Sequence, residues 1–184
     1  MKTGALIDAM RQVEAVSASL NSASWIWGGL VVDIYTGQIL REHDDLDCLT
    51  LHLHELLEPL AAQFQNAGWS ARPLSNGDLK LEKDGVKVHL GHLFIEREAR
   101  WTHNGELGSL YFPVEWLVPA TRRFCDVEVH VVAPQLQYVL LDHPELLNPD
   151  WEPREKDRIA KDYFTTWLST NQIAVEHLRS QIHD

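Results

Sequence analysis

Apolar residues recur at helical spacing in several segments of the first half of the chain. Residues 4–20 predict an amphipathic helix, because apolar side chains recur every three or four positions with polar residues between them. Residues 54–67 show the same period, and Gly68 is expected to end that helix. A shorter helix is expected from about Leu30, ending near Gly37.

Alternating or short apolar patterns predict strands between and after these helices. Trp25–Trp27 is a short apolar run, and residues 43–53 alternate polar with apolar side chains. The segments on either side of Asp84-Gly85 also alternate. This is the strongest hairpin pattern in the chain, because Asp-Gly accepts the positive φ angles of a tight type I′ turn.

The second half of the chain continues with mixed elements. Residues 99–121 are interpreted as a loop, and residues 126–132 as another short strand. A helix that begins with proline is expected over 134–141. Residues 148–153 form a proline-containing link, and residues 154–181 predict one long or broken helix.

Helices and strands therefore mix without the regular alternation of a doubly wound sheet. The predicted class is α+β, with a mixed sheet and helices packed mainly on one face. A chain of 184 residues can bury one sizeable core, so we expect a single domain over 1–184. Its expected parts are an N-terminal helix (1–24), a catalytic core (25–133) and a helical C-terminal part (134–184).

Charge and composition narrow the classes of partner. The formal net charge is −11 with only 16 Lys and Arg, which disfavours a general nucleic-acid binder, since binding many phosphates requires a basic face. No segment has the apolar length of a membrane span or the pattern of a signal peptide, so no membrane partner and a cytoplasmic location are expected. Cys48 and Cys125 are isolated and are expected to be reduced thiols.

The densest polar cluster lies at residues 41–47 and contains two aspartates two positions apart. On a strand, Asp45 and Asp47 would point to the same face about 7 Å apart and could share cations. Mg²⁺ suits such a pair, because it is bound through one or two carboxylates together with substrate phosphates. An exposed acidic edge is the alternative interpretation.

A glycine pair precedes this cluster at an informative distance. Gly28-Gly29 follows a short strand and precedes a short helix, where bare backbone N–H groups can hold phosphate oxygens. Gly29 lies sixteen residues before Asp45, which leaves room for one helix and a return to the next strand. A glycine turn for phosphates beside a carboxylate pair for their metal is a coherent nucleotide site.

The string WIWGGLVVDIYTGQILREHDDLD, at residues 25–47, resembles the lincosamide and aminoglycoside nucleotidyltransferase group of the DNA polymerase β-like superfamily. Weaker similarity continues to about residue 157. The residues that match the group's motif are Gly28, Gly29, Asp33, Gly37, Arg41, His43, Asp44, Asp45 and Asp47.

The resemblance implies a polymerase β-like fold and transfer of a nucleoside monophosphate from ATP or another nucleoside triphosphate to a hydroxyl of a small molecule. Asp45 and Asp47 would hold Mg²⁺, with two ions in an active enzyme. Gly28 and Gly29 would cradle the triphosphate, and Arg41 would neutralise its charge unless it is merely an exposed arginine. The acceptor pocket is expected from the hairpin, the 99–121 segment and the C-terminal helices. The acceptor, the nucleotide preference and the oligomeric state stay open.

Members of the superfamily usually carry a third Asp or Glu on a strand adjacent to the aspartate pair. In this chain, His89 stands where that acid would be expected, on the same face of its strand as Lys87 and Gly91. His89 could be a general base or an unusual ligand, because neutral imidazole is a poor Mg²⁺ ligand but titrates near neutral pH. Alternatively, Glu96 or Glu128 supplies the acid, or the protein binds nucleotide without turnover, as antitoxin-like relatives do. Lys87, two positions before His89, could contact a phosphate or be solvated. A metal-dependent hydrolase built on residues 43–47 is a further alternative that accounts poorly for the glycine pair.

Overall fold

The computed structural model describes residues 3–43, 45–95, 97–102, 109–118 and 121–183. The helices are α1 (Thr3–Ser19), α2 (Val31–Thr36), α3 (Leu53–Asn66), α4 (Pro134–Asp142) and α5 (Glu155–Thr170). The strands are β1 (Ser24–Trp27), β2 (Leu46–Leu51), β3 (Ser70–Pro73), β4 (Leu79–Lys83), β5 (Val86–Ile95), β6 (Ala99–Thr102), β7 (Ser109–Phe112), β8 (Arg122–Phe124) and β9 (Val127–Val131). No helix in the described ranges is long and apolar enough to cross a membrane.

The strands form a mixed sheet in the order β3-β4-β5-β2-β1-β9-β8. In addition, β6 pairs with the second half of β5, and β7 pairs with β6. The pairs β2–β5 and β1–β9 are parallel, and the other pairs are antiparallel. This arrangement confirms the predicted α+β class with a mixed sheet. The first strand, β1, therefore lies between β2 and β9 near the middle of the sheet.

Two groups of helices cover different parts of the sheet. Helix α1 packs on β9 and on the central strands, α3 packs on β3 to β5, and the two helices contact each other. Helix α4 packs mainly against α5, and α2 contacts α5 and β8. Fully buried aromatic side chains, among them Phe64, Phe112 and Phe164, fill the core. Burying each such side chain contributes about 1.5–3 kcal/mol.

The predicted hairpin forms around the expected turn. Asp84 and Gly85 have φ angles of 51° and 80°, as the two central residues of a type I′ turn require. Lys83 pairs with Val86 directly beside the turn, and Lys80 pairs with His89 further along. The turn therefore fixes the register that brings β4 alongside the part of β5 carrying His89.

One sequence prediction needs correction, and one is narrowed. Residues 99–121 are not simply a loop, because they contain the strands β6 and β7, which pair with each other and with β5. Each has only four residues, too few for alternation to stand out in the sequence. Of the two forms predicted for residues 154–181, one long helix or a broken one, the structure has the broken form: α5 ends at Thr170, Gln172 adopts a left-handed φ of 58°, and a short 3₁₀ turn follows at Arg179–Gln181.

Candidate active site

A cavity of about 470 Å³ opens where β1 ends and β2 begins. Its wall combines the turn after β1, the start of β2, the first half of β5, the residue before β4, and parts of α4 and α5. It brings together most of the predicted site residues, which are Gly28, Gly29, Arg41, Asp45, Asp47 and His89.

Strand pairing places Asp47 at the centre of this site. Asp47 lies opposite Trp27 on one neighbouring strand and opposite His89 on the other. Its side chain is 26% exposed, and its Oδ1 is 3.8 Å from Nδ1 of His89. Asp45 is exposed and directly precedes β2, so both carboxylates reach the cavity from the start of this strand.

The electrostatics of the aspartate pair favour a cation. Burial, together with the nearby charge of Asp45, raises the pKa of Asp47 to about 6, against the opposing influence of His89, Lys80 and Lys156. A bound divalent cation would relieve both the repulsion and the desolvation. No group of three or more metal-binding side chains occurs among the described residues. Two carboxylates nevertheless suffice for Mg²⁺ that is also held by substrate phosphates.

Glycine is needed at position 28 because the backbone there lies against Asp47 at the start of β2. Its φ is 74°, in the left-handed region, and a Cβ added there would lie 3.3 Å from Oδ2 of Asp47. Its N–H donates a hydrogen bond of 2.9 Å to Oε1 of Gln137, a buried residue of α4 that the sequence analysis did not single out. Any side chain at this position would crowd the Asp47 carboxylate.

Gly29 provides space for the side chain of Arg41. A Cβ at Gly29 would overlap Nη2 of Arg41, so the guanidinium lies directly over the backbone of the glycine turn. Nη1 of Arg41 donates a 2.9 Å hydrogen bond to the Glu42 carbonyl oxygen. The structure thus places a fixed positive charge beside the turn, where phosphate oxygens would be bound.

A buried pair from the same motif supports the segment that carries Arg41. Nε2 of His43 is 2.7 Å from Oδ2 of Asp33, and the side chains are 3% and 0% exposed. The same oxygen accepts a hydrogen bond from the Leu40 N–H. Asp33 and His43 therefore hold residues 37–43 against α2. Asp44, which also matches the motif, lies outside the described residues.

His89 has a carboxylate partner that the sequence analysis missed. Its Nε2 is 2.9 Å from Oδ2 of Asp78, whose side chain is 3% exposed. Asp78 directly precedes β4 and forms part of the cavity wall. Asp78 therefore brings a third carboxylate to the site. It reaches the site from the residue before β4 and contacts His89, which occupies the expected position of the acid on β5.

Other predicted participants lie away from this cavity. Lys87 is exposed, pairs with Glu82 across the hairpin, and is not part of the cavity wall. Glu128 is exposed and accepts a 2.8 Å hydrogen bond from Thr121, so the structure does not bring it to the aspartates. Glu96 lies outside the described residues.

Another part of the cavity wall is aromatic and helical. The rings of Trp27 and Trp101 meet edge to face with centroids 4.4 Å apart. Leu140 of α4 and Lys156 of α5 also line the cavity. Lys156 is half-buried and lowers the pKa of Asp47, so its positive charge acts on the aspartate site. It was not recognised in the sequence because its approach depends on how α5 packs.

Comparison with known proteins agrees with this geometry. The family model described as aminoglycoside-2''-adenylyltransferase matches residues 9–162. No curated protein sequence matches the chain.

Several solved structures share the fold. The solution structure of the antibiotic-resistance factor ANT(2'')-Ia superposes with a TM-score of 0.72 and 20% identity, over 97% of this chain and 91% of that one. The crystal structure of ANT(2'')-Ia with adenylyl-2''-tobramycin gives 0.70 and 20%, over 96% and 95%. The lincosamide antibiotic adenylyltransferase LnuA, bound to lincomycin, gives 0.65 and 15%, over 90% and 98%. These similarities confirm the predicted nucleotidyltransferase fold.

Proposed function

The chain belongs to the aminoglycoside-2''-adenylyltransferase family, and on that premise we propose that it transfers AMP from ATP to a hydroxyl group of a small molecule, releasing pyrophosphate. One observation carries the proposal: the carboxylates of Asp45 and Asp47 and the Gly28-Gly29 turn face the same cavity. A phosphate-binding turn beside a pair of metal-binding carboxylates is the arrangement that nucleotidyl transfer requires.

The donor triphosphate is held by backbone and cationic groups in this proposal. The glycine turn approaches the Asp47 carboxylate closely, and Arg41 lies over Gly29. Lys156 contributes a second positive charge from α5. These groups neutralise the triphosphate and orient its α-phosphorus towards the acceptor, which lowers the barrier chiefly through positioning.

Asp45 and Asp47 are the proposed Mg²⁺ ligands. The raised pKa of Asp47 supports this assignment, because repulsion from Asp45 and partial burial both disfavour its charge in the metal-free protein. When bound, Mg²⁺ supplies positive charge that stabilises the phosphate oxygens during displacement. The protein contributes the fixed carboxylates and excludes water through the aromatic wall.

His89 is the proposed general base. An imidazole suits proton transfer better than Mg²⁺ coordination, and the His89 ring lies directly beside Asp47. The acceptor hydroxyl oxygen attacks the α-phosphorus, the bond to pyrophosphate breaks, and the hydroxyl proton passes to His89. The acceptor oxygen gains a bond to phosphorus, and pyrophosphate leaves with the electron pair of the broken bond.

The proposed acceptor is a small hydroxylated molecule of the antibiotic type. Structures of similar fold contain adenylylated tobramycin and lincomycin, which supports this class. In this chain the acceptor would lie between Trp27, Trp101 and the surface formed by α4 and α5. The wall provides flat apolar surface for a sugar or ring face.

The proposal is tested by transfer of label from ATP labelled at the α-phosphate, with Mg²⁺ and with tobramycin or lincomycin as the first acceptors. The expected result is labelled acceptor and an equal amount of pyrophosphate, both lost in Asp45→Asn. Formation of labelled AMP alone would indicate hydrolysis and contradict acceptor transfer. Exposed Asp162→Asn on α5 serves as the charge-matched control.

A further inference from the structure

We propose that Asp78 is a positioning residue that holds His89 with the lone pair of Nδ1 directed towards Asp47. The buried carboxylate and the imidazole together would perform the task of a third carboxylate on β5. This inference rests on the proposed transferase function, and it assigns the acting atom of His89.

The hydrogen bond determines which nitrogen of the imidazole is free. Oδ2 of Asp78 lies 2.9 Å from Nε2 of His89, and an ionised carboxylate can only accept a hydrogen bond. A neutral histidine with its hydrogen on Nε2 has an unprotonated Nδ1. Nδ1 lies 3.8 Å from Oδ1 of Asp47, too far for a hydrogen bond, so its lone pair remains available beside the catalytic aspartate.

The turn before β4 holds Asp78 in place. The Leu74 N–H donates a 2.8 Å hydrogen bond to the Asp78 carbonyl, and the Gly77 N–H donates one of 2.9 Å to the Leu74 carbonyl. Nδ2 of Asn76 donates a 2.8 Å hydrogen bond to Oδ2 of Asp78. The orientation of the carboxylate is thus fixed from both its backbone and its side chain.

Packing under the turn adds to this constraint. Gly77 has a left-handed φ of 88°, and a Cβ there would lie 2.7 Å from Nε2 of the buried His92. Only glycine fits between the turn and β5 without displacing that ring. The segment that carries Asp78 is therefore seated directly on the strand that carries His89.

The turn itself uses only one of the two carboxylate oxygens of Asp78. Asp78 is 2% exposed, and its Oδ1 has no hydrogen-bond partner among the described residues. A buried carboxylate oxygen without a partner destabilises the fold, and an apolar side chain would avoid that cost. Its presence beside the cavity is explained if the charge orients His89.

The first test reads the tautomer of His89 directly in the metal-free full chain. Two-bond ¹H–¹⁵N spectra of histidine-labelled protein, recorded above the titration range of histidine and assigned with His89→Gln, distinguish the two nitrogens. We expect protonated Nε2 and unprotonated Nδ1. Asp78→Leu should give a mixture of tautomers, and Asp78→Asn, which keeps an oxygen acceptor, should shift the Nε2 resonance partway. Exposed Glu82→Gln on β4 is the matched control and should leave the spectrum unchanged.

Protonated Nδ1 in the wild type, or an unchanged His89 tautomer in Asp78→Leu, would overturn the proposal. Should Asp78→Leu fail to fold, the wild-type tautomer and the Asp78→Asn shift decide the question.

The second test separates positioning from binding. In Asp78→Asn we expect Mg²⁺-dependent ATP affinity and KM for ATP to be unchanged, while kcat with tobramycin or lincomycin falls about 10–100-fold. Unchanged kcat would contradict the positioning role. Absence of ATP binding in the wild type would refute the proposed function instead, and the tautomer measurement would still decide the state of His89 by itself.

Discussion

Replacing Asp47 with asparagine should stabilise the metal-free protein while abolishing its stabilisation by ATP and Mg²⁺. The reason is the environment of this carboxylate. Burial and the neighbouring charge of Asp45 raise the pKa of Asp47 from an ordinary value of 3.8 to about 6. The folded state therefore binds the Asp47 proton more tightly than the unfolded state does.

The sign and size of the effect follow from this difference. Stability is greatest while Asp47 is protonated, declines as the pH rises from about 3.8 through about 6, and is constant above that range. At neutral pH the ionised carboxylate costs about 3 kcal/mol of folding free energy. Asparagine removes the charge but keeps the shape, so Asp47→Asn should melt about 6–12 °C higher than the wild type.

Thermal unfolding in EDTA at pH 7.5 and pH 5 measures this difference, which should shrink at the lower pH. Addition of ATP and Mg²⁺ should then raise the melting temperature of the wild type only. Exposed Asp162→Asn should behave like the wild type in both conditions. An Asp47→Asn variant that melts at or below the wild-type temperature in EDTA would refute the argument.

Three further perturbations test neighbouring parts of the structure. Gly29→Ala should displace the Arg41 guanidinium and weaken ATP binding about tenfold in calorimetry, the loss of one charge-assisted contact, with little change in melting temperature. Lys156→Met should weaken ATP binding by about the same factor, and unchanged affinity would remove Lys156 from the phosphate site. The hydrogen bond that Glu14 accepts from the His130 ring raises the pKa of His130, and this interaction stabilises the fold below the ordinary pKa of histidine and is lost as the pH rises through the raised value. Glu14→Gln should therefore cost about 1.5 kcal/mol at pH 6 and less at pH 8 in denaturant titrations; an equal cost at both would contradict the linkage.

The parts of the fold that local sequence determines were predictable. Asp84-Gly85 specifies its hairpin because both residues tolerate the turn's positive φ, and Gly37 ends α2 in the left-handed conformation expected of a terminating glycine. The distance between Gly29 and the aspartates was sufficient to suggest a shared site. These features depend on a few neighbouring residues, so they are visible without the tertiary structure.

The partner of His89 was predictable in principle but was missed. The Asp84-Gly85 turn sets a register in which Lys80 lies opposite His89, so Asp78 must lie near it at the start of β4. Extending the register past the predicted strand would have revealed the contact. Lys156 is a different case, because its position depends on the packing of α5 against α4 and no short-range pattern encodes that geometry.

The most direct test of the account is isothermal titration of ATP into the purified protein with and without Mg²⁺, repeated with the double variant Asp45→Asn, Asp47→Asn. The account predicts Mg²⁺-dependent binding to the wild type and none to the double variant, with the variant still folded by circular dichroism. No binding to the wild type in either condition, or equal binding to the double variant, would contradict a nucleotide site built on these two carboxylates.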